Sequence, residues 1–189
     1  MILGITGSFG SGKTTVANMF KRYGFEAINA DGLYHDIYQK DESLKSKIIK
    51  YFGTLDRAKI KKIVFKDYKK LKKLNEITHP IIIREIKNKI KEIQKNKKNE
   101  IKIVLDVPLL IEAKMQDMAA KIIVVKCNKK TQIERLLKKG RHTREEIKNI
   151  INSQMPAEEK IRYADFVVDN SKSIEETKRQ IEAIISSIV

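Results

Sequence analysis

The sequence predicts an α/β fold, a parallel sheet with helices wound over both faces, and three observations carry that reading. Five short apolar runs recur along the 189 residues: MILGIT (1–6), FEAINA (25–30), IKIVLDV (101–107), KIIVVKC (121–127) and DFVVDN (165–170). Helical patterns separate them. A glycine-rich stretch, GSFGSGKTT (7–15), joins the first run to the first helix. Runs that stay apolar without alternating suit strands covered on both faces. Strands that alternate with helices imply right-handed crossovers within one sheet.

The first helix is expected over 14–23, opening directly on the glycines. Ile60, Ile63, Val64, Tyr68, Leu71 and Leu74 recur at spacings of 3, 4 and 7, which makes one apolar stripe on one basic helix. Pro80 suits the first position of a further helix whose stripe is Ile83, Ile86, Ile90 and Ile93. His79, just before it, is pushed toward extended backbone. Thr131 with Glu134, Thr143 with Glu146 and Ser173 with Glu176 have the capping-box spacing of helix starts. Ile181, Ile184, Ile185 and Ile188 form the stripe of the last helix.

Two connections exceed an ordinary crossover and set the domain organisation. The core is expected over 1–31, 99–137 and 164–189. A helical insert fills 32–98, and a polar, charged excursion fills 138–163. No Gly/Ser/Pro-rich linker and no internal repeat interrupts the chain. Long inserts at the C-terminal edge of such a sheet are where it binds ligands.

Composition narrows the function classes. No apolar stretch approaches the roughly 18 residues of a membrane span, and the N-terminus has no basic n-region, so neither a membrane anchor nor a signal peptide is expected. Cys127 is the only cysteine; it reads as a buried strand-end residue, and a chain without a possible internal disulfide fits the cytoplasm. The net charge is +16. Residues 40–98 hold 20 Lys and Arg against 7 Asp and Glu. Such a stretch is a solvated face or an electropositive surface for an acidic ligand. Lysine dominates and aromatic residues are only 6%, which argues against a base-stacking platform for nucleic acid.

The glycine stretch satisfies G-x-x-x-x-G-K-[ST] from Gly7 to Thr14. Its residues Gly7, Phe9, Gly10, Ser11, Gly12, Lys13, Thr14 and Thr15 are the nucleotide-binding candidates. Bare backbone lets N–H groups curl around phosphate oxygens, and a helix N-terminus aims its positive dipole end at the same anion. Lys13 reaches the β/γ-phosphates and the Thr14 hydroxyl is placed for Mg²⁺. The motif implies a nucleoside triphosphate with magnesium and leaves kinase, GTPase and motor open.

Acidic and basic candidates lie further along. Asp31, at the end of the second run, reads as a general base, an outer-shell Mg²⁺ partner or the N-cap of a helix beginning at Leu33. Asp106 ends IKIVL and resembles the acid that organises magnesium or its waters in such folds. Arg57, in TLDR, is a phosphate ligand or a solvated cation. His79 is a cap, a packing residue or a catalytic histidine. KKGRHTREE places Lys139, Arg141 and Arg144 near a helix start, where a basic cap would neutralise charge on a transferred phosphoryl group.

Across nearly its whole length the chain resembles the dephospho-coenzyme A kinases. The resemblance rests on LGITGSFGSGKTTVANMF, INAD (28–31), LDR (55–57) with VF (64–65), LNEITHP (74–80), VLDVPLLIE (104–112), QMPAEEK (154–160) and ADFVVDN (164–170). It implies a P-loop kinase fold with strand order 2-3-1-4-5, a substrate-binding role for the 32–98 insert and a lid over 138–163. It also implies transfer of the ATP γ-phosphate to the ribose 3′-hydroxyl of dephospho-CoA, with Mg²⁺, by a monomer or weak homo-oligomer. In the same resemblance Asp31 takes the proton of the 3′-hydroxyl, Arg57, His79 and Asp106 serve the substrate, and Asn170 lies near adenine. Asn29 stands where the family has the first acid of D-A-D. Lys139 stands where the family commonly has its lid arginine, with Arg141 two residues on. The alternative is another small-molecule or nucleoside monophosphate kinase. A GTPase is disfavoured because no N-K-x-D run occurs.

Overall fold

The computed structural model describes residues 1–96 and 101–188, so the expected boundary at 98/99 lies outside the described residues. The chain divides into two compact units. One joins Met1–Asn29 to the chain from Ile93 onward, and the other is Ala30–Glu92.

In the first unit, β1 (Ile2–Thr6), β2 (Glu26–Asn29), β3 (Ile103–Asp106), β4 (Lys121–Lys126) and β5 (Phe166–Asp169) form one parallel sheet. Its order is β2-β3-β1-β4-β5. All five apolar runs become strands, trimmed by a residue or two at their ends. The central strands explain why the runs do not alternate: β1 is buried from Leu3 to Thr6, and β3 throughout. Helices α1 (Lys13–Phe20) and α9 (Ile174–Ile188) bring Val16, Ala17, Phe20, Ile181 and Ile184 into one core with Leu3, Ile5, Val104 and Ile123. Residues Lys21–Tyr23 tighten into a 3-10 turn, so the expected helix over 14–23 ends early. Burying a side chain such as Phe20 contributes about 1.5–3 kcal/mol.

The second unit holds α2 (Ala30–Lys40), α3 (Glu42–Phe52), α4 (Arg57–Val64) and most of α5 (Tyr68–Asn96). The stripe from Ile60 to Leu74 belongs to two helices, not one. Asp67 accepts the backbone N–H groups of Lys69 and Lys70 at 2.9 and 3.2 Å, which starts a new helix after the break. The periodicity survives because Ile60, Val64, Leu71 and Leu74 still share one core with Leu44 and Ile48. Pro80 does not start a helix: it lies inside α5, and His79 is helical, not extended. Proline removes one backbone bond there. Burial of Thr78 and Ile81 on one side and Ile86 and Ile90 on the other keeps the helix continuous.

Three shorter helices complete the first unit: α6 (Lys129–Lys138), α7 (Arg144–Asn152) and α8 (Ala157–Ile161). The capping box of Thr143 with Glu146 is present, as are reciprocal bonds between Ser173 and Glu176. Thr131 is not a cap. Asn128 takes that role, accepting the Thr131 N–H at 2.8 Å, because its short side chain lies one residue ahead of the helix.

Candidate active site

The loop leaves β1 at its C-terminal end and enters α1 at Lys13, the arrangement its sequence pattern requires. Two glycines are enforced by their neighbours. At Gly7 (φ 151°) a Cβ would stand 2.2 Å from the Val125 carbonyl oxygen on β4. At Gly12 (φ 92°) a Cβ would stand 2.0 Å from Asn170 Nδ2. The Ser11 N–H donates to the Ser8 carbonyl at 3.1 Å, closing a tight turn around Phe9 and Gly10. Lys13 is 7% exposed, and its Nζ donates to the Ser8 carbonyl at 3.0 Å. The cation therefore lies back along the loop it serves.

The register of the sheet brings the acid to the hydroxyl. Asp106 is paired with Ile5 on one side and Asn29 on the other. Its Oδ2 accepts from Thr14 Oγ1 at 2.6 Å and from Asn29 Nδ2 at 2.7 Å. Its Oδ1 is buried and has no hydrogen-bond partner, as is Ser11 Oγ in the loop. An unsatisfied buried polar atom costs about 1–3 kcal/mol, more when charged. A carboxylate oxygen beside a threonine hydroxyl is a donor set of the hard-oxygen kind that suits hydrated Mg²⁺. Asn29 thus has a task that a carboxylate there would not perform, since it donates to Asp106.

Asn170 lies directly after β5 and is buried. Its Nδ2 donates to the Ser11 carbonyl at 2.8 Å, and its Oδ1 accepts from Thr177 Oγ1 at 3.1 Å. Both ends of the amide are engaged by protein, so Asn170 buttresses the loop from behind. Its own carbonyl accepts from Arg135 at 2.7 Å. Lys139 caps the C-terminal end of α6, Arg141 follows Gly140, and Arg144 opens α7. All three cations are exposed. Between them, His142 packs edge-on against Phe9 with ring centroids 5.5 Å apart, which ties this basic turn to the loop.

Three candidates fall in the second unit. Asp31 is exposed and sits in the first turn of α2. It is not a strand end, nor the cap of a helix starting at Leu33, because α2 already begins at Ala30. Arg57 opens α4; its Nη1 is 2.8 Å from His35 Nδ1, and its guanidinium lies 5.7 and 5.5 Å from the ring centres of Tyr34 and Tyr38. Burial, with Tyr38 alongside, pushes the Tyr34 hydroxyl up to about 12. Tyr34, Tyr38 and Arg57 line a cavity of about 360 Å³ whose other walls include Ile60, Val64, Leu71 and Leu74. His79 is half-buried in mid-helix.

The sequence model of the dephospho-CoA kinases matches residues 1–176. A dephospho-CoA kinase of Carboxydothermus hydrogenoformans is 42% identical over 97% of this chain and 92% of its own length. One from Bacillus cereus is 37% identical over 99% and 96%. A crystal structure of a Thermus thermophilus protein superposes with a TM-score of 0.80 at 29% identity, covering all of this chain and 98% of that one. The chain belongs to the dephospho-CoA kinase family.

The segments that carry the family resemblance outside the loop have identifiable tasks in the structure. In VLDVPLLIE, the Pro108 carbonyl accepts from Thr6 Oγ1 at 2.9 Å and from Lys160 Nζ at 2.8 Å. Glu112 pairs with the same Lys160 at 2.9 Å. Lys160 is fully buried; burial pulls its ammonium below the usual lysine range, against the opposing pull of Glu112. In ADFVVDN, Asp165 accepts from Lys121 Nζ and from the Ile122 N–H, each at 2.8 Å, fastening β5 to β4. Sequence reasoning missed two loop contacts, Gln132 and Gln154, both on Phe9. The motif QMPAEEK held a signal for Gln154. Gln132 is an ordinary helix residue with no local signature. Among the described residues no His/Cys/Asp/Glu group has the makings of a direct metal cluster, and no helix is long and apolar enough to cross a membrane.

Proposed function

We propose that the glycine loop, Lys13, Thr14 and Asp106 hold ATP with its magnesium, and that Asp31 and Arg57 serve the acceptor. The reaction is that of the family: the γ-phosphoryl of ATP passes to the ribose 3′-hydroxyl of dephospho-CoA, giving CoA and ADP in the last step of coenzyme A synthesis. The observation that carries the assignment of the metal side is Asp106, which binds Thr14 through one oxygen while the other lies buried without a partner.

In this division of labour the loop amides and Lys13 grip the β- and γ-phosphates. Thr14 and Asp106 are the residues that would hold Mg²⁺, Asp106 by way of water, and the ion would supply charge neutralisation to the phosphates. Asp31 accepts the proton as the 3′-oxygen attacks phosphorus and the bond to ADP breaks. An exposed carboxylate in the first turn of α2, two residues after Asn29 at the end of β2, supports that role. Arg57 meets the substrate's diphosphate as a planar, permanently charged donor, and its apolar cavity with Tyr34 and Tyr38 suits a ligand with an apolar body and an anionic part. Lys139, Arg141 and Arg144 offer charge to the transferring group, Arg141 with the fork that lysine lacks. Neither the electropositive insert nor the substrates call for nucleic acid.

The test is product chemistry. With dephospho-CoA, ATP and Mg²⁺, phosphorus NMR should show one new monoester on the ribose 3′-oxygen for each ADP released. A phosphate at any other position, or ADP without a phosphorylated product, contradicts the assignment.

A further inference from the structure

The tip of the phosphate loop is gripped from outside the loop. The Phe9 N–H donates to Gln154 Oε1 at 2.9 Å, and the Phe9 carbonyl accepts from Gln132 Nε2. Gln132 is buried at 3% exposure. Leu136, one turn further along α6, fills the space beside Gly10, where a Cβ would stand 2.6 Å from its Cδ1. Both backbone polar groups of one residue in a tight turn are thus engaged by two glutamines from separate segments.

The segment bearing Gln154 is itself anchored to the base of the loop. The N–H of Met155 donates to Glu112 Oε1 at 3.2 Å. Glu112 pairs with the buried Lys160, and Lys160 donates to the Pro108 carbonyl. That same carbonyl accepts from Thr6, the residue before Gly7. A closed circuit therefore runs from Thr6 through Pro108, Lys160, Glu112, Gln154 and Phe9, and returns to Thr6 along the loop itself. Lys160 is fully buried within this circuit, where an unpaired charge would be strongly unfavourable.

We propose that Gln154 and Gln132 are positioning residues that fix the backbone on both sides of Phe9, and through it the curvature of the amides from Gly10 to Lys13 that receive nucleotide phosphate. Glu112 and Lys160 set the position of Gln154. The proposal rests on the reading of this loop as the nucleotide site, and it is separable from the identity of the acceptor. A loop held in its binding shape avoids an ordering cost when ligand arrives, so the loss of either glutamine appears in nucleotide affinity first.

The test is Gln154→Met, similar in length but without the acceptor oxygen. Calorimetric Kd for Mg-ADP and the KM for ATP should both rise about three- to ten-fold, the loss expected of one hydrogen bond, while KM for dephospho-CoA stays within two-fold. Gln132→Met should act on the same residue, so the double variant should lose less than the product of the two single losses. Gln154→Asn, one methylene too short, gives a second reading should the methionine variant fold poorly. An unchanged Kd for Mg-ADP in a folded variant overturns the proposal, whether or not Tm falls. So does an equal rise in both substrates' KM. Turnover of dephospho-CoA by the unsubstituted protein, measured alongside, keeps this outcome distinct from a wrong acceptor.

Discussion

Thr14 Oγ1 donates to Asp106 Oδ2 at 2.6 Å, while Asp106 Oδ1 lies buried without a hydrogen-bond partner. Two strands and a helix are arranged to produce this half-satisfied carboxylate: β3 supplies the acid, β2 supplies Asn29 to the same oxygen, and α1 supplies the hydroxyl. Asp106→Asn should therefore fold. The amide can turn its carbonyl toward Thr14 and Asn29, which leaves an NH₂ where Oδ1 stood. That group cannot accept from a metal-bound water. The Mg²⁺ concentration for half-maximal rate, or the rate itself, should worsen roughly 10–100-fold. A magnesium titration with an unchanged midpoint and rate would contradict this role.

Gly12 and Asn170 form a second testable pair. Gly12→Ala combines a left-handed backbone with a Cβ 2.0 Å from Asn170 Nδ2. It should lower stability by about 1–3 kcal/mol, read as a shift of the urea midpoint at constant slope. Asn170→Ala removes the obstructing amide, so the double variant should lose less than the two singles added. Strict additivity would show that the two side chains do not interfere.

Asp165 carries a pH dependence. Hydrogen bonds from Lys121 and from the Ile122 N–H hold its carboxyl below the ordinary value of 3.8. The folded value being depressed, the contribution is present above the ordinary value and is lost as pH falls through it toward the folded one. Asp165→Asn keeps an acceptor for Ile122 but loses the charge facing Lys121. Its urea midpoint should lie below that of the unsubstituted protein at neutral pH, and the difference should shrink in acid. A difference that stays constant from pH 7 down to about pH 2 would contradict the charge-based account.

The sheet was readable from sequence because its strands are buried on both faces, and burial removes alternation in a way that five separate runs repeat. The loop was readable because its chemistry is local. Pro80 and the Ile60–Leu74 stripe were misread for a shared physical reason. Packing inside the second unit carries one helix across a proline and joins two helices into one core, and neither effect is encoded by neighbours in sequence. Asn128 displaced Thr131 as a cap because both lie at a plausible helix start, and only the backbone geometry chooses. Asn170 and Gln154 belong to quoted motifs, yet their contacts to Ser11 and Phe9 span 159 and 145 residues. A pattern can mark such residues but not name their partners.

Two substitutions in the second unit separate chemistry from binding. Asp31→Asn should cut kcat by roughly 10²–10⁴ and leave Mg-ADP affinity unchanged, as expected for loss of a general base. Arg57→Ala should raise KM for dephospho-CoA about ten-fold, and Arg57→Lys should restore only part of it, because lysine lacks the planar fork that meets His35 and the two tyrosine rings. A kcat that barely changes in Asp31→Asn would make it a helix-terminus residue and not the base.

The most direct measurement is ADP release by the purified protein with ATP, Mg²⁺ and one acceptor at a time: dephospho-CoA, AMP, shikimate or adenosine 5′-phosphosulfate. Turnover with dephospho-CoA, at a kcat/KM at least about a hundred-fold above every other acceptor, is the predicted result, a margin of roughly 2.7 kcal/mol in transition-state binding. No turnover with dephospho-CoA at any magnesium concentration, or a clear preference for another acceptor, would contradict the account.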